Sequence, residues 1–121
     1  MSAPGVHWLL DFEGCPFEAL DRAEGLRAAL LAAAESAGAT VLGERFHQFE
    51  PHGASGVVLI GESHLSIHTW PERGFAAADL FTCASALDVE AAIETLRLRL
   101  RPARLGRRRI DRSPDRVPAT A

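Results

Sequence analysis

An α+β fold, built as a two-layer sandwich with an antiparallel sheet and two helices on one face, is what this sequence predicts. Three observations carry the prediction. Strand-patterned segments outnumber helix-patterned ones; their order is strand, helix, strand, a meander of strands, helix, strand; and no repeat or low-complexity linker divides the 121 residues. That length suits one domain, assigned to residues 1–111, with a core that needs no disulfide or metal staple. Helices on one face leave the other, expected to be apolar, open to a second copy, which predicts a homodimer stacked as four layers, α/β/β/α.

Residues 6–12, V-H-W-L-L-D-F, read as a mostly buried strand closed by Gly14 and Pro16. A helix follows over 17–37, where Leu20, Leu26, Leu30 and Leu31 keep a helical stripe and Gly38 supplies the stop. Residues 40–49 form a second strand. P-H-G-A-S-G turns the chain, and Val57 to Ile60 is too apolar to face water. In the next strand Ser66, His68 and Trp70 share one face and Leu65, Ile67 and Thr69 the other, because strand side chains alternate. Pro71 to Gly74 makes a turn and residues 75–82 a further strand. Asp88 can cap a helix running to about Arg101, which Pro102 ends, and 104–110 form a last strand. Residues 112–121 read as a disordered tail.

Composition narrows function. A net charge of -3 with 47% hydrophobic residues suits a soluble globular protein and predicts no membrane partner. No basic stretch followed by an apolar run opens the chain, so a cytoplasmic location is expected. Cys15 and Cys83 are the only cysteines and give no C-x-x-C. The chain has no lysine, which excludes pyridoxal phosphate held as an internal Schiff base and excludes a P-loop. Nine arginines crowd residues 97–116 while fourteen acids lie in 1–96. Without an aromatic or Gly-rich recognition pattern, that asymmetry predicts a solvated strand offsetting an acidic body, and no nucleic-acid partner.

The polar cluster E-S-H-L-S-I-H-T at 62–69 interrupts the apolar pattern right after G-V-V-L-I-G. Four readings compete. His64 and His68 could suggest a metal, but four residues of strand separate them by roughly 13 Å, so they cannot share an ion and no metal is expected from them. Ser63, His68 and Cys83 are hydrolase residue types, yet the serine lacks the G-x-S-x-G elbow. A purely structural reading has a hairpin serine, a satisfied core histidine and a buried cysteine. The fourth reading is self-processing. The Ser63 hydroxyl attacks the preceding carbonyl to make an ester, and β-elimination frees the upstream chain and leaves a dehydroalanine that becomes a pyruvoyl group. Such a ketone forms a Schiff base with an amine and accepts electrons as CO2 leaves, the role pyridoxal phosphate plays elsewhere.

E-S-H-L-S-I-H-T-W-P-E, then G-F-A-A-A-D-L-F-T-C, with F-H-Q-F-E-P-H-G-A-S-G upstream, resembles the signature of the bacterial and archaeal S-adenosylmethionine decarboxylase proenzymes over about Val6 to Leu98. The resemblance implies a pyruvoyl-dependent decarboxylase of S-adenosylmethionine that supplies the aminopropyl group for spermidine. It implies cleavage between Glu62 and Ser63 into a β chain of 1–62 and an α chain of 63–121, with Ser63 becoming the pyruvoyl group. By the same implication His68 accepts a proton during processing, Ser55 supports the ester, and Cys83 returns a proton to the decarboxylated carbon. Substrate binding falls to Phe49 at the base, Glu72 at the ribose hydroxyls, and Phe12 with Glu13 as a second stacking site; Trp70 is placed to line the same pocket. Relatives with this processing core decarboxylate arginine or ornithine, the alternative substrates. A processing-dead paralogue would need a lost catalytic residue, and none is lost.

Overall fold

The computed structural model describes residues 5–83 and 87–114. Among these, six strands and two α-helices follow in chain order: β1 (Gly5–Glu13), α1 (Ala23–Ser36), β2 (Val41–Gln48), β3 (Ala54–Ile60), β4 (Ser63–Trp70), β5 (Phe75–Thr82), α2 (Val89–Leu100) and β6 (Arg104–Arg112). The strands make one sheet in the order β2-β3-β4-β5-β1-β6, every neighbouring pair antiparallel. The expected α+β class, with both helices on one face, is what forms.

Alternation along each strand decides which residues meet the helices. Leu10 and Phe12 of β1, Val58 and Ile60 of β3, Leu65 and Ile67 of β4, and Leu80 of β5 are buried on that face with Leu26 and Leu30 of α1 and Ile93, Leu96 and Leu100 of α2. Each such side chain contributes about 2 kcal/mol on leaving water. Ala33, Ala34 and Ala92 are fully buried and let the helices approach closely. The Asp88 side chain accepts from the Ala91 N–H at 3.1 Å, giving α2 its cap.

Two expectations are corrected. The helix expected from residue 17 is a short 3-10 turn, Phe17–Ala19, and α1 starts only at Ala23. The intervening carbonyls are taken elsewhere: Leu20 accepts from the Thr69 hydroxyl at 2.8 Å, and Asp21 accepts from the Gly53 N–H and Gln48 Nε2 at 3.1 and 3.0 Å. The last strand, expected over 104–110, reaches Arg112, the first residue of the stretch expected to be disordered; 115–121 lie outside the described residues.

The opposite sheet face carries exposed apolar side chains, Leu59 at 53% and Val57 at 39%. It is not uniformly apolar, because a polar band crosses it. Asp79 of β5 accepts from the Ser66 hydroxyl of β4 and contacts His7 Nε2 of β1 at 2.6 Å, with His64 Nε2 at 3.5 Å. Partial burial alone would raise the Asp79 carboxyl, but the hydrogen bonds from Ser66 and His7, with the charge of both imidazoles, hold it below the usual range. The arginine-rich segment is tied to acids: Arg107 to Glu90, Arg104 to Glu13 and Arg97 to Glu94. No helix among the described residues is long and apolar enough to cross a membrane.

Gly56 allows the β2 side chain Phe46 to lie flat over β3, since a Cβ there would stand 1.9 Å from the ring. Gly56→Ala is expected to cost about 1–3 kcal/mol in chemical denaturation. An unchanged midpoint would show that Phe46 is free to swing aside.

Candidate active site

Ser63 sits where the Gly61–Glu62 turn enters β4. Opposite it in the register lie Ile60 of β3 and Thr82 of β5. The turn is pinned from outside: the Gly61 N–H donates to the Thr40 carbonyl at 2.7 Å, and the Thr40 N–H donates to the Glu62 carboxylate at 3.1 Å. Ser63 itself holds φ at 142°, a region that side chains with a Cβ avoid. Such an outlier persists only where its surroundings over-determine it. Those surroundings include the Cys83 N–H, which donates to the Glu62 carbonyl at 3.2 Å, one step beyond the β4–β5 ladder. Cys83 Sγ, on an exposed residue, lies 3.9 Å from Ser63 Oγ. Among the described residues the Thr82 hydroxyl, buried beside this point, has no hydrogen-bond partner.

A second group lies further along β4. Ser55 Oγ and His68 Nδ1 are 2.7 Å apart, cross-strand partners on the open face. Next to them a cleft of about 440 Å³ lies between Phe49, His52, Trp70 and Glu72. Trp70 stacks on Phe75 at 5.6 Å between centroids, and Phe49 meets His47 edge-on at 4.7 Å. His52 Nε2 lies 3.1 Å from Glu72 Oε1. The loop carrying Phe49 and His52 is held by Gln48, whose Nε2 donates to the Phe49, Gly53 and Asp21 carbonyls and whose Oε1 accepts from the Ala23 N–H.

The expected residues therefore gather in two places on one chain. Ser63, Glu62 and Cys83 stand at one end of β4; Ser55, His68, Phe49, Trp70 and Glu72 gather towards the other. Five residues of strand between Ser63 and His68 amount to roughly 16 Å. Phe12 departs from expectation: it is 0% exposed in the core beneath the helices, on the same face of β1 as Leu10, and offers no surface to a ligand. Glu13 is partly exposed at the C-terminal end of β1, opposite Phe75 and so in the row of Trp70, and is bonded to Arg104 at 2.7 Å. Thr40, Gln48, His52 and Thr82 carry no local mark in the sequence: Thr40, Gln48 and His52 have partners 20 or more positions away in Glu62, Ala23 and Glu72, and Thr82 gains its place from facing Ser63 in the register.

The two cysteines are free and stand at opposite ends of the sheet, since Cys15 pairs with Gly74 before β5 and Cys83 follows its end. Burial pushes the Cys15 thiol up to about 11, so almost none of it is thiolate at neutral pH.

A family model described as S-adenosylmethionine decarboxylase matches residues 6–113. The S-adenosylmethionine decarboxylase proenzyme of Sulfurihydrogenibium sp. is 46% identical over 101 residues, which cover 84% of this chain and 76% of the relative. That of Thermodesulfovibrio yellowstonii is 48% identical over 94 residues, covering 78% and 70%. The crystal structure of the adenosylmethionine decarboxylase from Aquifex aeolicus superposes with a TM-score of 0.87 at 36% identity, covering 100% of this chain and 98% of that one.

Alkylation of the folded protein by iodoacetamide at neutral pH is expected to modify Cys83 and spare Cys15, as read by peptide mass spectrometry. Equal labelling of both would contradict the burial assigned to Cys15.

Proposed function

The chain belongs to the S-adenosylmethionine decarboxylase family, and from that premise we propose that Ser63 cuts its own link to Glu62 and becomes the pyruvoyl group on which decarboxylation depends. The protein releases CO2 from S-adenosylmethionine, and the decarboxylated product supplies aminopropyl groups for spermidine synthesis. One observation carries the assignment of Ser63: its unfavourable φ of 142° beside a Glu62 carbonyl that accepts from the Cys83 N–H.

Attack by Ser63 Oγ on the Glu62 carbonyl carbon would place negative charge on that carbonyl oxygen. The Cys83 N–H is already aimed at it, so the charge develops against a preorganised donor. Collapse breaks the C–N bond and leaves Glu62 esterified to Ser63 Oγ. Removal of the Ser63 Cα proton then breaks the Cβ–Oγ bond and frees chain 1–62 as a carboxylate. The dehydroalanine left behind tautomerises to an imine, and water replaces its nitrogen, which departs as ammonia. The buried, unpartnered Thr82 hydroxyl fits a site whose polar demand changes as this link is remade. The ketone so formed supplies an electrophile for the substrate amine and a sink for the electrons left when CO2 departs. Cys83 Sγ, 3.9 Å from Ser63 Oγ, is the proton donor to the decarboxylated carbon.

His68 is our candidate for the base that takes the Cα proton, and Ser55 for the group that steadies the ester. At roughly 16 Å along the same strand, His68 cannot reach its own Ser63. A homodimer resolves this. If the open faces pack about a twofold axis perpendicular to β4, the two β4 strands run antiparallel across the interface, and each Ser63 end faces the other copy's His68–Trp70 end. The exposed Val57 and Leu59 would be covered by the same packing. A site completed in this way uses the 440 Å³ cleft for the adenosyl group. Phe49 and Trp70 provide faces for the base and for the sulfonium cation, and Glu72, steadied by His52, accepts from the ribose hydroxyls. Glu13 lies in the register row of Phe75 and Trp70, two strands from the cleft's Trp70, and its carboxylate is already engaged by Arg104 rather than left for an arginine or ornithine side chain.

Two outcomes follow. Cys83→Ala protein is expected to split at residue 63 yet to decarboxylate about 100-fold more slowly than the parent; an unsplit product would remove Cys83 from the role given to it. Ser63→Ala and His68→Ala chains, each defective in processing alone, are expected to yield split His68→Ala chains when co-expressed with different tags. Absence of splitting in isolated mixed dimers would overturn the shared site while leaving the chemistry of Ser63 intact.

A further inference from the structure

Away from the residues used above, His7 of β1, His64 of β4 and Asp79 of β5 bring two imidazole nitrogens and a carboxylate within 4.8 Å of one another on the open sheet face. We propose that these three side chains bind one divalent transition-metal ion of the zinc, cobalt and nickel class. Two nitrogens and one oxygen are the donor set such borderline ions prefer, while magnesium and calcium favour oxygen alone.

The distances fit with little movement. Bonds of about 2.0–2.2 Å to a tetrahedral ion separate its donors by roughly 3.4 Å. His64 Nε2 already lies 3.5 Å from Asp79 Oδ1, and His7 Nε2 lies 2.6 Å from Asp79 Oδ2, a hydrogen-bond contact that a metal would widen. The supporting groups are in place. Ser66 donates to the Asp79 carboxylate and fixes its orientation, as outer partners of metal ligands do. Phe81 packs beside both rings, stacked on His64 at 6.0 Å and edge-on to His7 at 5.3 Å, while the two imidazoles meet edge-on at 6.2 Å, so both are braced. All three ligands are half-buried, which limits competition from water without sealing the site.

Binding would exchange one particle for another at His7. With Asp79 ionised, His7 Nε2–H donates to it; the ion takes that nitrogen, so the proton moves to Nδ1 or leaves. Arg112, 3.4 Å from Nδ1, then gives up its contact and turns to solvent. The three ligands leave a fourth position for water or for a group of the second copy. An ion there would join β1, β4 and β5 next to Ser63, since His64 is the following residue.

The full chain, stripped with a chelator and titrated with zinc or cobalt(II) by calorimetry, is expected to take up one ion per chain. His64→Gln and Asp79→Asn should each weaken that uptake at least tenfold. Zinc should raise the melting temperature of the parent protein, and that rise should vanish in His7→Gln. Cobalt should give visible ligand-field bands without a thiolate charge-transfer band, which separates this site from Cys83. No saturable uptake, uptake unchanged in the variants that fold, or a thiolate band in the parent would each overturn the proposal. The parent spectrum decides the matter even where a substitution prevents folding.

Discussion

The Cys83 N–H to Glu62 carbonyl hydrogen bond is the constraint on which the candidate chemistry rests. It exists because β4 and β5 pair in one register from Ser63↔Thr82 to Trp70↔Phe75. That register is fixed in turn by burial: a slip of one residue would turn Leu65, Ile67 and Leu80 out of the core and bring His64, Ser66 and Asp79 into it. The core thereby sets the position of a single amide proton. Thr40, bonding both Gly61 and Glu62, keeps the turn from relaxing away from it. Ser63 then adopts a φ it would not choose alone.

Strand geometry imposes a second condition. A flat ribbon that rises about 3.3 Å per residue cannot fold His68 back onto Ser63, so the candidate residues of one chain stand in two groups that the proposed dimer would bring together. This gives the open sheet face a purpose beyond hiding apolar surface. It also accounts for its mixed character, with Val57 and Leu59 near a band of His7, Ser66, His68 and Asp79. In the proposed assembly the apolar side chains supply affinity and the polar band fixes alignment.

Much of this was legible in the sequence, and the exceptions share one cause. Period-two alternation indicates the strands and their faces, and the run from Glu62 to Cys83 contains most of the candidate residues. Phe12 is buried beside Leu10, as its parity on β1 indicates, although its motif position points to a stacking site. The start of α1 was misread because Thr69, Gly53 and Gln48 capture the Leu20 and Asp21 carbonyls from 25 or more residues away. The His7–Asp79 contact spans 72 positions and leaves no local trace. Local pattern reports which face a residue takes, whereas its partners depend on a topology that pattern alone does not fix.

Intact-mass measurement of the purified, active protein tests the central claim most directly. The account predicts two polypeptides, 1–62 and 63–121, the second lighter by one ammonia than the same segment beginning with serine. A single unsplit chain in a preparation that releases CO2 from S-adenosylmethionine would contradict it.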